Sequence, residues 1–184
     1  APLTMEPAKR FKDISLDEFK SRIFNLEDRE AGISKVKELL GSEFKVDSVG
    51  PFILGSSSEH NGSDIKYIGE RLEKFIHFFQ LNYGMTIPSN FITIYMVPNV
   101  ESLPELAGKI HGLKISEGSI GYSFQDDLSI VAVIPGRVTG TLAHELFHIL
   151  LPSNFGDIPA WMEEGMAALY EVSEIIDDKV IGLP

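Results

Sequence analysis

The segment that most constrains the fold is His144-Glu-Leu-Phe-His148, in which two histidines are four positions apart. Side chains at i and i+4 lie on the same face of an α-helix, so both imidazoles can reach one metal ion. Glu145 is rotated from the first histidine by about 100° around the helix axis, where it can contact a water on such an ion without being a ligand. The pattern therefore predicts a helix that carries a metal site with an adjacent carboxylate.

The preceding and following residues predict a strand, a turn and then this helix. Ser129–Ile134 is an apolar, β-branched run that ends at a Pro-Gly pair, as expected for a strand followed by a turn. Thr139 or Thr141 would cap the helix, which should end near Pro152 because proline lacks a backbone donor. Taken alone, the histidine pair could instead be two hydrogen-bonded core histidines.

A second segment offers a third ligand, since a catalytic zinc ion takes three protein ligands and leaves a fourth position for water. After a loop of about six to eight residues, Pro159 would occupy the first turn of a second helix. Asp157 would cap it, and the helix would run to about Glu174. Glu163 and Glu164 fall early in this helix, where a carboxylate could face the histidine pair.

The two segments together resemble the signature of the gluzincin metallopeptidases. In that family a His-Glu-x-x-His helix is followed by a helix with the pattern Trp-Leu-x-Glu-Gly-x-Ala. Here the second segment reads Trp161-Met-Glu-Glu-Gly-Met-Ala167, and the match extends from Ser129 to Glu171. The chain is most similar to the small peptidase MA-like domains of bacterial envelope proteins.

This resemblance implies a role for each charged residue of the two segments. His144, His148 and Glu164 would bind Zn²⁺, with Glu164 as the third ligand because it directly precedes the glycine. Glu145 would be the catalytic general base, taking a proton from the attacking water and passing it to the departing amine. Glu163 would occupy a variable position that faces solvent or a neighbouring base. The expected function is zinc-dependent hydrolysis of peptide bonds in a peptide or protein substrate.

The resemblance also implies an α+β fold, a thermolysin-like zincin catalytic domain. Its twisted, mainly antiparallel sheet would pack on the active-site helix and on the second, ligand-bearing helix. The sequence itself favours strands at 52–58 and 91–97 and a short helix at 103–109. Apolar spacing predicts an amphipathic helix from Ile65 to Asn82 that ends at Gly84.

Family members place an antiparallel edge strand along the cleft, where it pairs with an extended substrate. Ser119–Phe124 is the expected edge here, with Ser129–Ile134 as the alternative. Tyr122 and Tyr170 are candidates for stabilising the tetrahedral intermediate, although packing explains both equally well. His111 precedes the edge strand and is expected at the surface.

Several positions depart from the family pattern or fall outside it. Thermolysin-like relatives carry an Asp four residues after the third ligand, where this chain has Ala168. Glu171 would be either a partial substitute or part of a solvated helix face. Gly165, about 1 kcal/mol less favourable than Ala in a helix, favours a close approach by another backbone or by a substrate. His60 and His77 have no partner at ligand spacing and are not expected to bind metal.

Composition agrees with a globular protein that has a sizeable core, with 184 residues and 43% hydrophobic residues. Residues 1–42 would form an N-terminal tail and helices, including a capping box at Ser15–Glu18 and a helix over Ile33–Leu40. Residues 43–184 would form the metallopeptidase domain. The short stretch after the second helix suggests either a minimal enzyme with an open cleft or a domain of a longer protein.

Charge and cysteine content limit the partners. A net charge of −11 argues against nucleic acid and against anionic membranes, and no apolar run reaches the roughly 18 residues of a membrane-inserted helix. The absence of cysteine excludes disulfides and a thiolate metal site. The family, together with a first residue that is Ala rather than Met, favours an extracytoplasmic protein, secreted or in the cell envelope.

Two alternatives to an active peptidase remain from the sequence. One is a catalytically weak or inactive zincin-like domain that acts as a binding module, and the other is a structural domain without metal. Among peptidases, an endopeptidase is favoured over an aminopeptidase because no motif for anchoring a free amine is found. No feature indicates the oligomeric state or the substrate sequence.

Overall fold

The computed structural model describes residues 26–57, 60–88, 90–176 and 179–182. In chain order the helices and strands are α1 (Leu26–Leu40), β1 (Lys45–Val49), β2 (Phe52–Ser56), α2 (Gly62–Tyr83), β3 (Ile92–Val97), α3 (Ser102–His111), β4 (Gly121–Phe124), a 3₁₀ turn (Gln125–Asp127), β5 (Ser129–Val133), α4 (Gly140–Phe155), α5 (Ala160–Ala168), β6 (Ser173–Ile176) and β7 (Lys179–Gly182). The described chain thus mixes helices with a five-stranded sheet, as the α+β prediction requires.

The main sheet has the strand order β1-β2-β3-β5-β4, while β6 and β7 form a separate antiparallel pair. The prediction of a mainly antiparallel sheet is wrong, because two of the four pairings in the main sheet, β2 with β3 and β3 with β5, are parallel. The reason is the connection between β2 and β3, in which a helix carries the chain back to the end of the sheet where β2 began. The prediction that the strand ending at Phe124 forms an edge is confirmed, since β4 is last in the order.

Both faces of the sheet are covered by helices. On β3, Ile92, Ile94 and Met96 belong to the core that the sheet shares with α2 and α4, whereas Tyr95 and Val97 belong to the core shared with α1 and α3. This alternation follows from the two-residue period of a strand. Strands covered on both faces are buried along their length, as the near-continuous apolar runs of β2, β3 and β5 require.

Helix α2 supports one side of the site and confirms the predicted amphipathic helix. Asn61 caps it by accepting hydrogen bonds from the backbone N–H groups of Ser63 and Asp64, while the Asp64 carboxylate accepts from the N–H of Asn61. The helix ends at Gly84, whose φ of 67° is left-handed, as predicted from the glycine.

The two helices of the metal motif differ from their predicted lengths. Helix α4 does not end near Pro152 but continues to Phe155. Helix α5 ends at Ala168 rather than near Glu174, and the chain then enters β6, whose alternating, β-branched sequence favours a strand. The loop between them, residues 156–159, is shorter than expected, and Pro159 occupies the cap position that was predicted for Asp157.

Helix α1 begins at Leu26, before the predicted start at Ile33, and packs on β1 and β2. Its residues Val36 and Leu40 are buried in the core shared with α3. The predicted capping box at Ser15–Glu18 lies outside the described residues, and the proposed division at residues 42 and 43 stays a prediction. In the described ranges, no helix combines the length and the apolar character that crossing a membrane requires.

Candidate metal centre

The three predicted ligands converge on one point between α4 and α5. The Nε2 atoms of His144 and His148 are 3.0 Å apart. The Glu164 carboxylate oxygens lie 3.5 Å from Nε2 of His144 and 3.6 Å from Nε2 of His148. Ligand atoms bonded at roughly 2.0–2.1 Å to a tetrahedral metal ion lie about 3.3 Å from one another. The three side chains therefore have the spacing of a tetrahedral site, and no other group of this kind occurs in the part of the chain that the structure describes.

A carboxylate also lies beside the second nitrogen of each imidazole. Nδ1 of His148 donates to Oε1 of Glu163 at 2.8 Å. Glu163 therefore faces a neighbouring base, the His148 imidazole, which is the second of the two alternatives predicted for it. Metal-binding histidines commonly donate their second N–H to such a carboxylate.

Glu171 occupies the corresponding place beside His144. Its Oε1 lies 2.9 Å from Nδ1 of His144, although the carboxylate is not aligned with the ring N–H, and this buried nitrogen forms no hydrogen bond within the described residues. Glu171 comes close to His144 partly because α5 ends at Ala168. The second reason is Gly140 at the start of α4: a Cβ at this position would overlap the backbone carbonyl of Glu171, and glycine leaves room for it. The partial substitute considered from the sequence is thus in contact with the histidine.

These contacts favour one protonation pattern of the ring nitrogens. A carboxylate beside Nδ1 favours the tautomer in which Nδ1 is protonated and Nε2 carries a lone pair. The two Nε2 lone pairs of His144 and His148 then face each other at 3.0 Å, with the Glu164 carboxylate beside both. Three electron-pair donors so close together repel one another unless a cation lies between them. The donor set therefore fits a bound metal ion.

Burial changes the acidity of two groups in the site. Burial and the neighbouring His148 lower the pKa of His144, which favours the neutral imidazole that a metal ligand must be. Burial also raises the pKa of Glu145 to about 7, while His148 and a hydrogen bond from the side chain of Ser123 act in the opposite direction. Glu145 is buried on the same helix as the two histidines of the candidate site. Ser123, on the edge strand β4, was not predicted to contribute.

Gln125 is a second residue that the sequence did not indicate. It follows β4, and its side-chain amide donates to the backbone carbonyl of His148. The signal was present in the sequence as Pro152, four residues after His148, because a proline at that position cannot donate to this carbonyl. The residue that supplies the missing donor comes from another part of the chain and could not be identified from spacing.

The two tyrosines considered for the oxyanion are held elsewhere. Tyr170 is buried among the aromatic side chains between α2 and α4, and its hydroxyl is hydrogen-bonded to that of Tyr83. Tyr122 packs on the opposite face of the sheet from α4, with its hydroxyl 2.7 Å from Nδ1 of His111. The side chain of His111 is 3% exposed and stacks on Phe124, so the prediction of a surface histidine is wrong.

The remaining predictions concern residues outside the donor set. His60 is buried, with Nδ1 beside the Ser56 hydroxyl and Nε2 beside the carbonyl of Gly136, so both ring nitrogens have structural partners. His77 lies on α2 and is not one of the grouped donors. A Cβ at Gly165 would have no neighbour within 4 Å among the described residues. The expected approach of another backbone to Gly165 is therefore wrong, and the approach of a substrate stays a prediction.

No protein-family model matches the chain, and a search of curated proteins finds no similar protein. The assignment of a function therefore depends on the motif and on the geometry of the site.

Proposed function

We propose that this chain is a zinc metallopeptidase of the gluzincin type, with a zincin-like catalytic domain. The observation that carries the proposal is the convergence of two lone-pair nitrogens and a carboxylate, His144, His148 and Glu164, at the separations of a tetrahedral site. Two histidines and one glutamate are the ligand set of catalytic zinc sites that keep a fourth position open for water. The carboxylates of Glu163 and Glu171, which lie beside Nδ1 of His148 and of His144, support the same conclusion.

In this proposal the residues of the chain divide the work of peptide hydrolysis. When bound, zinc would lower the pKa of water and polarise the scissile carbonyl. Glu145 takes the proton of the attacking water and delivers it to the departing amine, which requires a carboxylate that is close to the ligands but not one of them. Ser123 holds the Glu145 side chain by a hydrogen bond from the edge strand. Glu163 holds the ring of His148.

The position of β4 supports a peptide or protein as the substrate. This strand is an edge of the sheet and packs against α4, so its unpaired backbone groups lie beside the helix that carries Glu145. An extended peptide could add to this edge through main-chain hydrogen bonds. Such binding needs no free terminus, which favours an endopeptidase. An extracytoplasmic location, secreted or in the cell envelope, is the compartment we propose, and fractionation of cells that express the protein would test it.

The first experiment is the metal content of the purified chain by mass spectrometry, compared with Glu164→Ala and with Glu117→Ala, a matched control in an exposed loop. We expect about one zinc per chain in the wild type and in the control, and a loss of zinc in Glu164→Ala. No zinc in the wild type, even after zinc is added back, would refute the proposal.

The second experiment tests catalysis on an unfolded protein such as casein. We expect cleavage by the zinc-loaded chain and its loss in Glu145→Gln, with zinc content unchanged, because Glu145 is not a ligand. This pair of results distinguishes the general base from the metal site.

A second candidate function is a zinc-binding domain that cleaves weakly or not at all and acts as a binding module. The observation that favours it is that Tyr122 and Tyr170 are both held away from the donor set. Gluzincins often use such a side chain to stabilise the oxyanion. Full zinc content with no cleavage of any unfolded protein by the wild type would support this candidate instead.

A further inference from the structure

Helix α4 contains a proline at the position where it affects the metal site most directly. In an α-helix the N–H of residue i donates to the carbonyl of residue i−4. Pro152, which lies within α4, has no N–H, so it leaves the carbonyl of His148 without its helical partner. The carbonyl that loses its donor therefore belongs to a predicted ligand.

A side chain from the edge of the sheet supplies the missing donor. Gln125 Nε2 donates to the His148 carbonyl oxygen. Two residues earlier, Ser123 of β4 donates to the carboxylate of Glu145. Gln125 is the first residue of the 3₁₀ turn that directly follows β4. On α4, His148 comes three residues after Glu145, so the two hydrogen bonds lie within one turn of that helix. The end of β4 is therefore joined to α4 twice, once at the general base and once at a ligand.

We propose that Gln125 is a positioning residue of the metal site, which fixes the turn of α4 that carries His148 against the edge strand. The inference rests on the proposed function, since it assigns Gln125 a role in placing a zinc ligand. Gln125 acts through the backbone of His148 and touches neither the metal position nor the imidazole. Because the same strand edge is the proposed substrate site, this hydrogen bond also sets the distance between the bound peptide and the ligand helix.

Pro152 makes this role testable by a double-mutant cycle. Pro152→Ala restores a backbone N–H that can donate to the His148 carbonyl, so Gln125 becomes dispensable in that background. The variants are Gln125→Ala, Pro152→Ala and the pair together, with Gln125→Glu as an isosteric replacement that lacks the donor. Asn82→Ala is the matched control, because Asn82 also donates a side-chain amide to a helical carbonyl, that of Phe78, in α2.

The primary measurement is the zinc dissociation constant of each metal-free chain, determined by chelator competition. Loss of an indirect support of a ligand commonly weakens metal binding 10–100-fold, and we expect about tenfold for Gln125→Ala and Gln125→Glu. In the Pro152→Ala background the effect of Gln125→Ala should fall within about twofold, the range of additive substitutions. Asn82→Ala should leave the zinc affinity unchanged even where it lowers the melting temperature.

The visible absorption of the cobalt-substituted protein gives a readout that a general loss of stability would not change. We expect altered band positions in Gln125→Ala and recovery of the wild-type spectrum in the double variant. Unchanged zinc affinity and cobalt spectrum in Gln125→Ala would overturn the positioning role while the proposed function stands. Absence of zinc binding in the wild type would overturn both.

Discussion

The two helices of the metal motif differ sharply in how the rest of the protein holds them. Of the sixteen residues of α4, ten are buried, whereas Ala167 is the one buried residue among the nine of α5. Yet α5 is largely apolar, and its Trp161 and Met162 are 77% and 41% exposed. Helix α4 is fixed by the core, while α5 is held through the contacts that Glu163 and Glu164 make with the histidines. The site therefore joins a rigid element to one with little packing of its own.

This difference indicates what a bound metal ion contributes to each helix. For α4, whose geometry is already set by packing, the ion adds little order. For α5, a ligand bond at Glu164 would replace much of the packing that the helix lacks. The same contrast predicts where substitutions unfold the protein and where they change only the site.

The largest expected effect is that of a cavity under α4. Phe147 is fully buried, stacks on Tyr170 with ring centroids 5.4 Å apart and meets Phe79 edge-on at 5.3 Å. Phe147→Ala should lower the free energy of unfolding by about 3–5 kcal/mol, measured by urea denaturation of the metal-free chain. Trp161→Ala on α5 should change it by less than about 0.5 kcal/mol. Comparable losses in the two variants would show that α5 is as firmly packed as α4.

Zinc should stabilise the folded chain, and it should stabilise α5 more than α4. At a free concentration of about 100 times the dissociation constant, binding adds about 2.7 kcal/mol to the free energy of unfolding. Hydrogen exchange should slow more in α5 than in α4, because Glu164 is the ligand with the least other support. If zinc slowed hydrogen exchange equally in both helices, or only in α4, the view that α5 depends more on the metal than α4 would be wrong.

The carboxylates of Glu163 and Glu171, beside Nδ1 of His148 and of His144, should affect metal binding more than folding. Glu163→Gln should weaken zinc binding by about 10–100-fold, because it removes the charged acceptor of the His148 N–H. Glu171→Gln should have the smaller effect, since its carboxylate is not aligned with the ring N–H of His144. Chelator competition measures both. A larger loss of zinc affinity in Glu171→Gln than in Glu163→Gln would show that Glu171 is the more important of the two carboxylates, contrary to our prediction.

The smallest effect should come from Gly165. Its φ is not left-handed, and a methyl group there meets open space. Gly165→Ala should therefore raise the free energy of unfolding by about 0.4–1 kcal/mol, with zinc affinity unchanged. An increase in KM for a peptide substrate without a change in kcat would show that substrate approaches this position, as the sequence suggested. Loss of stability would show that the helix needs glycine here for another reason.

The sequence was sufficient to predict that His144 and His148 share a helix face with Glu145 beside them, because helical spacing determines this arrangement. Glu164, on the next helix, was assigned from the resemblance to the gluzincins. The sequence was also sufficient for α2, whose helical pattern is local, while the edge strand was predicted from the family resemblance. Ser123 and Gln125 were missed because each depends on how the end of β4 packs against α4, and for Glu163 the sequence left solvent and a neighbouring base as alternatives. Such contacts between distant segments leave no periodic pattern in one sequence.

The parallel pairings of the sheet were missed for a related reason. A strand followed by a long helix and a second strand already favours a parallel pair, but the family resemblance suggested an antiparallel sheet. The early end of α5 was also missed, since Ala168 is a good helix former and only the packing of the following residues on α4 and α2 turns the chain there.

The exposure of Trp161 has a practical consequence for whoever purifies this protein. It is the only tryptophan in the chain, it is largely in water, and it lies three residues before Glu164. Its emission therefore reports on the surroundings of one helix and nothing else. A peptide, an inhibitor or a partner that covers α5 should shift that emission to shorter wavelengths, so that binding at this site can be titrated in a cuvette without any label.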